Sequence, residues 1–134
     1  MVRNIIAVIV GIIAGSVVNG LLISISGMII PPPSGADMTT VEGINATMSS
    51  LGPVNFIFPF VAHAAGALVG ALVASLIAVS NRLAISIGIG VLFLLGGAYM
   101  AYAIAAPLWF EILDLVVAYI PMAWLGWKIA GGKS

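Results

Sequence analysis

The sequence predicts an all-α integral membrane protein, an antiparallel bundle of four transmembrane helices, and three observations predict it. Only 6% of the 134 residues are charged and 63% are hydrophobic, whereas a soluble domain carries about 25% charged residues. Four acidic and four basic side chains cannot cover that much apolar surface in water; lipid can. Four apolar runs, near residues 5–30, 54–79, 83–105 and 108–127, each reach the ~20 residues that cross a ~30 Å hydrocarbon core. When the runs are threaded as alternating spans, Arg3, Arg82, Lys128 and Lys133 all fall on one side.

Each run is continuously apolar and rich in alanine and leucine, which fits a helix and not a barrel strand of ~9–11 alternating residues. Residues 1–134 form one transmembrane domain with no room for a separate soluble module. A cleaved signal peptide would hold its apolar stretch to ~7–15 residues and close on a small-residue site. The first run is about twice that length and lacks such a site, so it is read as the first span.

The basic residues orient the bundle by the positive-inside bias. Both termini are expected in the cytoplasm of a bacterial inner membrane, with Asp37, Glu42 and Glu111 on the opposite side. Phe56, Phe58, Phe60, Trp109 and Phe110 then mark the outer interface, and Trp124 and Trp127 the inner one.

Only the connection at 31–53 is long, an extracytoplasmic loop. Pro31-Pro32-Pro33 ends the first span, because proline lacks the amide donor and forces its predecessor out of helical geometry. Thr39-Thr40-Val41-Glu42 fits a capping box with Thr39 as the cap. Val41, Ile44, Met48 and Leu51 follow at helical spacing, so a short amphipathic helix is expected over about 40–51, lying across the outer mouth of the bundle. Asn45-Ala46-Thr47 matches a glycosylation triplet, a pattern too short to be informative.

Helices in lipid associate through small residues and polar contacts, since lipid tails are as apolar as leucine. Gly11 and Gly15 form a GxxxG pair in the first span; Gly66 and Gly70 belong to a small-residue stripe in the second; Gly90 and Gly97 share a face of the third. At 100° per residue, Asn55, Pro59, His63, Gly66 and Gly70 fall within an arc of about 120°. Glu111, Asp114, Ala118 and Pro121 share a face of the last span, opposite a Leu/Val/Tyr-rich side. The single histidine and the deepest carboxylate therefore lie on contact faces.

A rise of 1.5 Å per residue puts His63 ~14 Å, Asp114 ~9 Å and Asn19 ~16 Å below the outer ends of their spans. An ionisable group at such depth costs at least about 2.5–3.5 kcal/mol on insertion scales. His63, Asp114, Asn19 and Glu111 are accordingly the expected intramembrane polar site. Three readings compete: an interhelical clamp fixing helix register, a site that binds or passes a small solute, ion or proton, and an intramembrane enzyme. The enzyme lacks parts. One histidine and no cysteine do not make the usual three-ligand zinc site, and no H-E-x-x-H, G-x-S-x-G or phosphate-cradling loop is present.

No cofactor and no metal are expected, and a net charge of zero gives no reason to expect a nucleic acid. The expected function is non-enzymatic binding or translocation at the His63–Asp114 level. Four short spans are expected to enclose little volume, which places a solute path between copies of a homo-oligomer. The rival is a scaffold subunit packing on another membrane protein through its glycine stripes.

Overall fold

The computed structural model describes residues 1–134. It is 78% helix with no strand. Helices α1 (Val2–Ile29), α3 (Ile57–Ile77, entered through a 3-10 turn at Pro53–Phe56) and α4 (Arg82–Ala103), with the segment Leu108–Ile129, are each long and apolar enough to cross a membrane. Helix α2 (Val41–Thr47) and a 3-10 turn (Met48–Ser50) lie in the long connection. The last span is two helices, α5 (Leu108–Val117) and α6 (Ile120–Ile129).

The distribution of side chains is that of a helical membrane protein. Alanines fill the interior: Ala7, Ala62, Ala71, Ala74, Ala118 and Ala123 are fully buried. Large apolar residues such as Ile5, Ile9, Ile13, Leu95, Ile112 and Val116 face outward. Small residues inward and large ones outward reverse the pattern of a water-soluble bundle, and leave backbones free to approach closely.

Helix α3 is the hub, packed along α1, α4 and α6. A Cβ added at Gly11 would lie 2.6 Å from the Gly70 carbonyl oxygen, and one at Gly15 2.5 Å from that of Gly66. The approach is reciprocal, since a Cβ at Gly66 or Gly70 would meet the Gly15 or Gly11 carbonyl oxygen at 3.0 or 2.9 Å. Gly126 is pressed against the Leu68–Leu72 backbone in the same way, and Gly90 against Ala123 and Ile120. Between α3 and α4, Ser75 and Ser86 share a buried hydrogen bond of 2.6 Å.

Polar braces close both ends. Arg3 Nε donates to the Ile77 carbonyl at 2.7 Å, and Asn4 donates to the Ser80 hydroxyl at 3.0 Å and accepts from Val79 N at 3.1 Å. Asn81 takes a left-handed conformation (φ 52°) that lets α3 reverse into α4, and asparagine tolerates it better than most residues. At the other end, the Asn45 amide bridges the α4–α5 turn, donating to Ala103 O at 3.0 Å and accepting from Ala105 N at 2.8 Å.

Three sequence expectations need correction. The outer helix runs over Val41–Thr47 and continues as the 3-10 turn to Ser50, close to the expected 40–51, but its cap is Thr40, whose hydroxyl accepts from Gly43 N at 3.0 Å. Thr39 is instead turned to Asp37 through its amide and hydroxyl, while the Thr40 hydroxyl donates to Asp37 and accepts from Gly43 at once. The span at 108–127 is interrupted at Ala118–Tyr119, just before Pro121, which has no N–H for the Val117 carbonyl. Four spans also enclose more space than expected, as the site makes plain.

Candidate functional site

The site is built where α3, α5 and the start of α6 converge. His63 sits on the small-residue face of α3 between buried Ala62 and Gly66, so no bulky neighbour screens it from α5. Its Nδ1 lies 2.8 Å from Asp114 Oδ1 and 2.9 Å from Oδ2. Tyr119 donates its hydroxyl to Asp114 Oδ2 at 2.9 Å. The His63 and Tyr119 rings stack, with centroids 5.7 Å apart and planes inclined by 25°. One carboxylate thus gathers a ring nitrogen and a phenol from two sides.

The contacts restrict which hydrogen-bonding roles fit together. An ionised Asp114 only accepts, so Nδ1 carries a proton toward it. His63 Nε2 then bears a lone pair in the neutral ring or a second proton in the imidazolium. The Asp114 side chain is nearly sealed at 6% exposure while that of His63 retains 25%, so His63 is the member open to the surroundings.

It opens onto two cavities. The larger, about 590 Å³, is bounded by α1, α4 and α5 and roofed by α2 and the turns beside it. Its floor is polar (His63, Asp114, Asn19); its walls are mostly apolar and include Ile44, Met48, Leu51 and Phe56. The smaller, about 210 Å³, lies deeper against Phe93 and Tyr119. Both are lined by Asn19, His63, Gly97 and Met100, so His63 and Asn19 stand at their junction. The larger volume lies within the ~300–1,000 Å³ of small-molecule sites. It is more space than four short spans were expected to hold, and every residue that lines it comes from one chain.

All four residues expected at the polar site border this space. His63 and Asp114 are bonded. Asn19 stands beside them and its Oδ1 is buried with no hydrogen-bond partner. Glu111, one turn before Asp114, lines the larger cavity and forms no ion pair; the chain's ion pair is His63–Asp114. The six glycines expected at packing faces all meet other helices: Gly11, Gly15, Gly66 and Gly70 between α1 and α3, Gly90 and Gly97 against α6 and Tyr119.

Tyr119 is the residue that sequence reasoning missed. In an unbroken helix it projects about 140° away from Asp114. The break turns it back, with φ −111° and ψ −77° at Tyr119 itself. Pro121 was the available signal, since a proline inside a span withdraws a backbone bond and re-aims the residues before it. Phe93, wedged against Gly15 and Gly70, carried no comparable mark.

No group of three histidine or carboxylate side chains converges to hold a metal ion. No protein-family model, curated protein or solved structure matches the chain. Fold and site define a helical membrane protein with a hydrogen-bonded His–Asp–Tyr cluster at the floor of a cavity.

Proposed function

We propose that the protein is a non-enzymatic membrane protein that binds or passes a small solute, ion or proton at the His63–Asp114 level. In this reading the four apolar helices span a bacterial inner membrane with both termini in the cytoplasm. The end carrying Asp37 and Glu42 faces outward, following the Lys/Arg bias. One observation carries the functional reading: a buried carboxylate paired to a histidine forms the floor of a 590 Å³ cavity. A clamp serving only to fix helix register needs the hydrogen bonds and no adjoining space. Discontinuous helices with a polar site at mid-depth are also how many membrane transporters hold their solutes.

The scaffold reading draws less support. The glycines it invokes, Gly66 and Gly70 among them, are occupied by contacts within the chain, which leaves them no face for a partner.

Proteoliposomes loaded with a pH-sensitive dye test the proposal. The wild-type chain is expected to dissipate an imposed pH gradient faster than empty vesicles. Asp114→Asn and His63→Ala should lose that flux while eluting as the same species in detergent. Variants with undiminished flux, or wild-type vesicles no leakier to protons than empty ones together with no retention of any probe described below, would overturn it.

A further inference from the structure

We propose that the larger cavity takes an amphiphilic ammonium ion: a protonated amine carried on an apolar body. This rests on reading the cavity as a binding site and adds the chemical class of the occupant.

Charge is the first reason. The titratable side chains lining the cavity are Glu111, Asp114 and His63, and the roof segment carries Asp37 and Glu42 nearby in sequence. Every lysine and arginine is elsewhere. Arg3 and Arg82 bond carbonyls at the opposite end of α3, and Lys128 lies 5.8 and 5.6 Å from the Trp124 and Trp127 rings. Two carboxyl side chains against one imidazole, with no lysine or arginine, give the lining a formal charge of minus one even when His63 is counted as a cation. In surroundings this apolar, such an excess attracts a cation and repels an anion.

Hydrogen-bond capacity is the second reason. Asn19 Oδ1 is a buried acceptor with no donor. Asp114 engages His63 through Nδ1, so neutral His63 offers Nε2 as another acceptor at the cavity floor. Glu111 in the wall accepts only, when ionised. An ammonium group supplies three donors and a positive charge, whereas an ether, ester or hydrocarbon supplies neither.

The walls decide what carries the ammonium. A hard metal ion prefers six or more oxygen ligands, and no three carboxylate or histidine side chains converge here. The surroundings are instead Ile23, Ile44, Met48, Leu51, Phe56 and Met100, which favour an apolar body. Phe56 and Phe110, with centroids 4.8 Å apart, both border the space and add aromatic surface suited to a phenyl-bearing body.

Three probes share one phenylpropyl body and differ in the terminal group: 3-phenylpropylammonium, butylbenzene and 4-phenylbutanoate. Each is radiolabelled and measured by equilibrium dialysis against the purified full chain in nanodiscs, relative to empty nanodiscs. The ammonium is expected to bind at least tenfold more tightly than the other two. Glu111→Gln, which leaves the His63–Asp114–Tyr119 bonds in place, should weaken it about tenfold, and Ala101→Trp should abolish it by putting an indole into the space that Ala101 lines. If the neutral or anionic probe binds as tightly and is lost in Ala101→Trp, the class is wrong and the cavity reading survives. If no probe is retained above empty nanodiscs, or if the ammonium is retained equally by wild type, Glu111→Gln and Ala101→Trp, both fall.

Discussion

Gly97 on α4 lies directly against the Tyr119 phenol: a Cβ at position 97 would come onto the hydroxyl and within 2.5 Å of the ring carbon Cζ. The phenol reaches Asp114 because this glycine has no side chain. Gly97→Ala is therefore expected to displace the ring and weaken the Tyr119–Asp114 hydrogen bond. Overpacking of this kind costs about 1–3 kcal/mol. The measurement is thermal unfolding in detergent, repeated in a Tyr119→Ala background. An alanine at 97 that costs as much without the phenol as with it would show that the two positions are uncoupled.

The α1–α3 seam makes a sharper demand, because what approaches Gly15 includes backbone. Gly15→Ala drives a methyl toward the Gly66 carbonyl and the Phe93 ring, and should destabilise by about 1–3 kcal/mol. Gly20, on the same helix, has nothing within 4 Å of the corresponding position. Gly20→Ala should be neutral or slightly stabilising, as the removal of a helix-interior glycine usually is. Equal losses at both positions would contradict the seam as described.

The Ser75–Ser86 bond is fully buried at the other end of α3. Polar pairs between membrane helices average about 0.6 kcal/mol and reach about 1.7. Ser86→Ala, which also gives up the bond from its hydroxyl to Ala71 O at 3.3 Å, should fall in that range, and adding Ser75→Ala should cost little more, because the only partner of Ser75 is already lost. A double variant whose loss is the sum of the two singles would mean that the hydroxyls act independently.

Asp37 gives the loop a pH dependence. Hydrogen bonds from the Thr39 hydroxyl and amide, and from the Thr40 hydroxyl, hold its carboxyl below its ordinary value of 3.8. A carboxyl depressed on folding contributes stability that is complete above its unfolded pKa and disappears as pH falls through the folded one. Amide protection at Thr39 and Gly43 should thus be constant from neutral pH down to about 5 and fall only once the solution is more acidic than 3.8. Asp37→Asn should show weakened protection throughout. Loss already beginning near pH 6 would point to a different group.

Much of this was legible in the residues. Long apolar runs set the span positions, because a helix in hydrocarbon must satisfy its own backbone and has little freedom of length. His63 and Asp114 could be placed on contact faces from helical periodicity, which holds while a helix is unbroken. Reading failed where that condition failed. The interruption before Pro121 turned Tyr119 toward Asp114, and the cavity depends on where α1, α4 and α5 stand apart, a three-body property that no single stripe encodes. The capping-box pattern pointed to Thr39, one residue too early; Asp37, from outside the motif, ties down both Thr39 and Thr40, and it is the Thr40 oxygen that meets the Gly43 amide.

Asp114 belongs to α5, while Tyr119 stands at the threshold of α6, which is fixed to α3 through Gly126. Their 2.9 Å contact therefore bridges a joint between two ten-residue rods. Any bend at that joint must stretch or compress the contact. With Tyr99 and Tyr102 replaced by phenylalanine, the remaining phenol's vibrational spectrum is thus a goniometer already installed in the protein, able to report the angle of the last span with no label attached.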